Sequence, residues 1–492
     1  MTSLATDDDL ADLAPPTHLQ RHFSGSTDNT KDSIYDSSLN AGESSAIFSE
    51  GKPSLLSANA AATTPVKSDG PDDFSLRFRV GGIKDPGVDG KENQDDYTCW
   101  ETEDGSTRIF MVLDGHGREL GKIASKAAKD ALMGYLTLPN TLAALRKDAP
   151  GVMETAFATA HNAVRESFLK YYARQGMVTN VEEGGYIVKR HPSQQVWHCV
   201  HGGSTCSVCI ILDNKILVSA NVGDSSSLLC GLGEKLSETE SCLFRTSEPE
   251  MHEEGPTPAN RCVSVLTADH GPENPNEFIR MRSQCPCPKR GKAHPSMMFV
   301  YDGSARAKTD CNPVFSVGSE DSVTITNNGS YYKSVRNEWA SLVTTPTYAR
   351  FQDALAFTRS IGDLHLQVYG VSHRPDIAIY DLTNLFRQST DQADKALLVM
   401  CSDGIWDNWK YNDAAAHLCN PALWEFPQEE IVTRLDGSSM DAEIQGNSSH
   451  TIDVAKEFMR VNKVHAHRNF GRHADNMCAL ICQIVKVPAS GQ

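Results

Sequence analysis

Three apolar runs in this chain stop at an aspartate, and a fourth starts from one. RIFMVL ends at Asp114-Gly115, LLVMCS at Asp403-Gly404 and ILVSANVG at Asp224, while Asp475-Asn476 precedes MCALIC. A further pair, Asp95-Asp96, follows KENQ. Short apolar runs bounded by turn signals read as strands buried on both faces. An aspartate just past such a strand is held by rigid backbone, with its carboxylate pointing off the sheet end. Strand pairing can bring several such tips together. Clustered carboxylates repel and perturb one another's pKa values unless a cation stands among them. A hard divalent ion with oxygen ligands suits that set. Gly115 lets the backbone approach, so that its carbonyl can be a further ligand.

The overall charge sharpens this reading. The 492 residues hold 46 basic and 63 acidic side chains, a formal charge of -17. That balance argues against a nucleic-acid or membrane partner, since both need clustered positive charge. No apolar run approaches the ~20 residues of a membrane-spanning helix; the strongest, 477–487, contains Gln483 and Lys486. The N-terminus is acidic and has no apolar core of a secretory signal. An intracellular site, cytoplasmic or nuclear, is expected, with the 14 cysteines as thiols in a reducing compartment.

Hydrophobic residues make up 39% of the chain, which leaves part of its length outside any core. Residues 1–72 account for some of that part. They carry 11 acidic and 4 basic residues, about -7, with few aromatics and no sustained period. A disordered, acidic, Ser/Thr-rich tail is expected there. From Phe74 onward the pattern is ordered: FSLRFRVGGI alternates as a strand, and SVCIILDNKILVSANVG reads as a hairpin around Asp213-Asn214. Helical spacing predicts helices from Glu119 to Tyr135 and from Ala149 to Tyr172. Strands with paired long helices, rather than strict alternation, argue for an α+β fold. Polar stretches near 175–200, 237–261 and 284–350 look like insertions in one folded unit spanning 73–490. The last opens with CPCPKRGK, which lacks the paired C-x2-C spacing of a zinc site.

The ordered series NQDDY, FMVLDGHG, GGSTCSVCIIL, LVSANVGDSS, LTADHGPENPNEFIRM, AFTRSIGDLH, LLVMCSDGIWDNW and DNMCALIC resembles the successive motifs of the protein phosphatase 2C family. These are metal-dependent Ser/Thr protein phosphatases. The resemblance implies a four-layer α-β-β-α sandwich, with two central antiparallel sheets and flanking helices. It implies a binuclear Mg²⁺ or Mn²⁺ centre with a weaker position for a third ion, and hydrolysis by metal-activated water. Asp114 matches the bridging ligand, Gly115 the backbone ligand, and Asp403 and Asp475 the other direct carboxylates. Asp95 matches an acidic residue that meets the metals largely through water, and it is counted with the catalytic and the metal set. Asp224 matches a weaker third-metal position, and His116 the general acid. Phosphoprotein substrates and a monomeric state follow from the family.

The first block departs from the family pattern. Gly90 stands where many members have a phosphate-binding Arg, and Gln94 stands where they have Glu. Lys91 is the candidate replacement, as a point charge rather than a bidentate fork. These departures and the long insertions motivate an alternative reading, a catalytically weak or inactive pseudophosphatase that binds phosphoproteins or acts as a scaffold.

Overall fold

The computed structural model describes residues 74–232, 241–247, 262–283, 297–305, 307–318, 322–388, 394–424 and 448–488. The acidic tail, most of 237–261 and the CPCPKRGK segment lie outside the described residues.

The apolar runs form two sheets. One has five strands in the order Phe74–Asp85, Met477–Pro488, Lys395–Cys401, Ser226–Leu232, Cys262–Val265. The other has six, in the order Cys242–Arg245, Asp376–Asp381, Ile216–Val222, Cys206–Leu212, Arg108–Leu113, Asp96–Glu101. All these pairings are antiparallel. The hairpin between Cys206–Leu212 and Ile216–Val222 turns at Asp213 and Asn214, both at positive φ (53° and 56°). That is the geometry that matches the right-handed strand twist, and Asp and Asn tolerate it.

Side-chain alternation builds the layers. Phe110, Val112, Cys209 and Ile211 point from the six-stranded sheet into a core shared with Leu398, Met400, Cys478 and Leu480 of the other. The intervening residues Ile109, Met111, Val208 and Ile210 point outward, against helices Gly121–Leu136 and Ala149–Arg174. Leu397, Val399, Ala479 and Ile481 pack on the opposite outer face against helices Tyr411–Leu418 and Ser448–Phe470. The result is the expected α-β-β-α sandwich, α+β in class. Cys206 and Cys209, three apart in one strand, go to different cores, one outside and one between the sheets. Among the described residues no helix is long and apolar enough to cross a membrane.

All three insertion-like stretches are folded where described, and 237–261 supplies the edge strand Cys242–Arg245. Val178–Val181, Ile187–Arg190 and His198–Cys199 form a small sheet. Within 297–355, Met298–Tyr301 pairs with Ser341–Thr344, which in turn pairs with Ala354–Leu355. This subsheet has its own core of Phe299, Tyr301, Val343 and Phe357. The polar composition of these stretches concealed that order, because a few interleaved aromatics suffice to cover a small sheet.

Candidate metal centre

Five aspartates converge at one end of the sandwich. Asp114 leaves strand Arg108–Leu113 and is tied back to the next strand by two hydrogen bonds with Thr205. Its N–H donates to Thr205 Oγ1 (3.1 Å), and its carbonyl accepts from the Thr205 N–H (2.9 Å). Asp95 is buried, 2% exposed, and its Oδ2 accepts from Ser402 Oγ at 2.7 Å. The Ser402 oxygen in turn accepts from the Cys478 N–H, which links Asp95 to both central strands of the other sheet. Asp403 opens the short helix Asp403–Trp406 directly after Lys395–Cys401. Asp475 precedes Met477–Pro488, and its Oδ1 accepts from the Asn476 N–H (2.8 Å) and from Lys91 Nζ (2.7 Å).

Close backbone approach requires glycine twice here. A Cβ on Gly115 would stand 2.3 Å from the Gly121 carbonyl oxygen and 2.6 Å from that of Gln94. A Cβ on Gly404 would stand 1.9 Å from the Asn476 carbonyl oxygen. Both contacts are with backbone, which cannot step aside.

The electrostatics are those of a carboxylate cluster. Burial, then the charges of Asp95, Asp403, Asp475 and Asp224, push Asp114 well above the usual carboxylate range. Burial and the fields of Asp475 and Asp403 push Asp95 up to about 8, against the opposing Ser402 hydrogen bond. Burial and Asp403 push Asp224 up to about 7, with Lys333 opposing. Asp95 Oδ1 and Asp224 Oδ1 are buried and have no hydrogen-bond partner. Buried carboxylate oxygens ordinarily find a donor. Asp95 Oδ1 in this state, in a set made only of oxygen donors, fits a hard divalent cation, whereas Asp224 has the Lys333 ammonium 3.9 Å from its Oδ2. Among the described residues no group of three or more His, Cys, Asp or Glu side chains is placed as these side chains stand to hold a metal ion. Ser402 and Lys91 hold two of the carboxylates instead.

His116 lies beside the cluster on the two-residue strand Gly115–His116. Its Nε2 is 2.7 Å from Asp363 Oδ2, and its ring meets Phe357 edge-on at 5.2 Å. Burial works against the imidazolium, but the Asp363 carboxylate outweighs it and holds the His116 pKa above its ordinary value. Asp363 is itself fixed by Ser360 Oγ (2.6 Å) and sits at a positive φ of 44°. Its motif was visible in the sequence, but its role as the partner of His116 was not.

The unusual first block also finds its place. Gln94 Nε2 donates to the Gly117 carbonyl (2.9 Å), a bond that a Glu carboxylate in this position could not make. Gly90 adopts φ +81° with no atom within 4 Å of a would-be Cβ. Lys91 lies on Asp475 and on the Ala474 carbonyl (3.3 Å), so its ammonium borders the cluster while already engaged.

Sequence reasoning missed the far wall. Asp224 and Asp403 line a cavity of about 230 Å³ together with Asp407, Lys333, Arg336 and Glu338. Lys333, Arg336 and Glu338 come from the 284–350 stretch, whose polar pattern carries no signal of where it packs. Asp407 was legible only as part of SDGIWD.

The protein phosphatase 2C family model matches residues 98–292 and 339–420 and omits 293–338. A curated Arabidopsis thaliana relative, named for the same family, is 22% identical over 343 residues. The chain spans 64% of that relative's length, with 64% of its own. Among solved structures, serine-threonine phosphatase 2C from Toxoplasma gondii is 14% identical, with 83% of this chain and 95% of that chain covered and a TM-score of 0.46. The catalytic domain of the serine threonine phosphatase PstP, in complex with two manganese ions, is 12% identical, with 84% and 100% covered and a TM-score of 0.38.

Proposed function

Since the chain belongs to the protein phosphatase 2C family, we propose that it is a metal-dependent protein serine/threonine phosphatase, acting on phosphoserine and phosphothreonine of protein substrates. The observation that carries this reading is the convergence of Asp95, Asp114, Asp224, Asp403 and Asp475, with the buried Oδ1 of Asp95 unpartnered. Asp114, Asp403, Asp475 and the Gly115 carbonyl are the proposed direct ligands of two Mg²⁺ or Mn²⁺ ions, with Asp95 acting largely through water. Bound there, such ions would lower the pKa of a coordinated water and offset charge on the phosphoryl oxygens.

The chain's own groups do the rest. Thr205, Ser402 and Asn476 fix the orientations of Asp114, Asp95 and Asp475 before substrate arrives. His116, whose Asp363 partner favours the imidazolium, supplies the proton that the departing serine or threonine oxygen needs. With Nε2 on Asp363, the nitrogen left to hand it over is Nδ1, which has no hydrogen-bond partner. Lys91 is the proposed phosphate anchor, and substrate phosphate competes with Asp475 for it. The whole of 73–490 is read as one catalytic domain, monomeric, with 1–72 as a tail and the three polar stretches as insertions.

Purified protein and a phosphothreonine peptide test this directly. Turnover is expected with Mn²⁺ and not with chelator, and Asp114→Asn is expected to abolish it while the protein stays folded. Turnover that persists in chelator, or none on any phosphopeptide, rejects the reading; the second outcome favours the pseudophosphatase.

A further inference from the structure

The negative charge of the cluster is offset unevenly. On the Asp224 side the chain brings its own cation. Lys333 Nζ lies 3.9 Å from Asp224 Oδ2 and 3.7 Å from Glu338 Oε2. Its side chain is 24% exposed, and that of Asp224 is 15%. This ammonium is held in place by its own loop. The Lys333 N–H donates to the Glu338 carbonyl (2.8 Å), and Ser334, fully buried, donates through Oγ to Glu338 Oε2 (3.1 Å). Tyr332 stacks on Trp339 with ring centroids 4.1 Å apart.

The same loop is fastened to the segment that presents Asp403. The Val335 N–H donates to the Asp407 carbonyl (3.1 Å), and the Arg336 guanidinium donates to the Trp406 carbonyl. Arg336 also forks onto Glu338 (2.7 and 3.0 Å) and lies over the Tyr411 ring. Residues 293–338 fall outside the family match, so this ammonium comes from a segment that the family model does not cover.

We propose that Lys333 is a built-in cation that occupies the place of a third divalent ion beside Asp224, so that the centre holds two such ions. The proposal rests on the reading of the cluster as a divalent-ion centre. An ion coordinated by Asp224 Oδ2 would sit ~2.0–2.6 Å from that oxygen. It would therefore be no more than about 6.5 Å from the ammonium. Repulsion between a divalent ion and a fixed ammonium is poorly screened in a half-buried cleft. The ammonium disfavours a divalent ion there, and the third-metal role expected for Asp224 does not fit this chain.

Counting ions on the full-length protein tests this without any activity measurement. Mn²⁺ binding is followed by calorimetry and by the fall in the free-Mn²⁺ electron spin resonance signal. Wild type is expected to take up two ions, with no further site below about 10 mM. Lys333→Met is expected to gain one weaker site, and adding Asp224→Asn is expected to remove it again. Lys333→Arg, which keeps the charge, is expected to stay at two. Three ions on wild type overturn the proposal while leaving the metal-centre reading intact, and so does a folded Lys333→Met protein that still binds two. Should Lys333→Met fail to fold, the wild-type and Lys333→Arg counts decide. No binding by wild type overturns the metal-centre reading and this proposal with it.

Discussion

Replacing Asp95 by Asn separates what the carboxylate cluster costs from what it does. Asp95 moves from an ordinary pKa of 3.8 to about 8, chiefly through burial and then through Asp475 and Asp403. In this interval the folded protein keeps a proton that the unfolded chain releases. Stability without metal therefore falls as pH rises, by ~1.4 kcal/mol per pH unit. At pH 7 the accumulated cost is roughly 4 kcal/mol, and near pH 4 it is close to zero. Asn cannot ionise, so Asp95→Asn removes the cost. Its amide oxygen can still accept from Ser402, at a penalty of ~1 kcal/mol for imperfect geometry. The net expectation in chelator at pH 7 is a gain of about 2–4 kcal/mol, shrinking towards zero or below by pH 4. Excess Mn²⁺ narrows the gap, since wild type gains ~2.7 kcal/mol when the ion is at 100 times its Kd and the variant gains less. Urea unfolding at several pH values, with EDTA or Mn²⁺, measures both. Equal destabilisation by Asp95→Asn at pH 4 and pH 7 in EDTA would refute the reasoning.

Four more outcomes are expected. Arg359 forks onto buried Glu277 (2.7 Å) and reaches Asp376 (3.1 Å), so Arg359→Leu should cost about 2–3 kcal/mol in urea unfolding by removing a buried cation that the two carboxylates share, Arg280 still holding Glu277 and His270 still holding Asp376. Burial opposes the ionisation of Glu277 and Asp376, but Arg359 and His270 outweigh it and hold both below the usual carboxylate range. Their contribution is complete above about pH 5 and is lost as pH falls through 4.5 and 3.8 towards their folded values, which an acid titration of stability would follow. His116→Gln should lower kcat ~10²–10⁴-fold with Mn²⁺ binding unchanged. Asp363→Asn, tolerated at φ 44°, should move the alkaline limb of the kcat profile to lower pH, because the partner that raises the His116 pKa is gone. Gly404→Ala, with its Cβ 1.9 Å from a backbone oxygen, should lose activity and thermal stability together in parallel melting and turnover assays.

The strands that carry the aspartates were legible because each is a short apolar run with a sharp polar end. The hairpin was legible because Asp213-Asn214 declares its turn. Helices 121–136 and 149–174 showed their apolar faces, and the structure shifts their ends by only one or two residues. Helix Ser448–Phe470 went unread: its Lys, Arg, His and Asn residues dilute the apolar stripe, which shows only once Val454, Phe458 and Val461 meet the sheet. The edge strands Cys242–Arg245 and Cys262–Val265 are too short to have a readable period. At the site, the residues were visible but their pairings were not. Lys91 meets Asp475 across 384 positions, His116 meets Asp363 across 247, and Lys333 reaches Asp224 from a polar loop. Such contacts follow from topology, which the local pattern does not encode.

The central claim is that these aspartates form a divalent-ion centre. Anomalous diffraction from crystals grown with Mn²⁺ tests it most directly. The account predicts two strong peaks bounded by Asp114, Asp403 and Asp475, with the Gly115 carbonyl in contact and Lys91 released from Asp475. A map with no Mn²⁺ among these carboxylates at millimolar concentration, in protein that is otherwise folded as described, would contradict it.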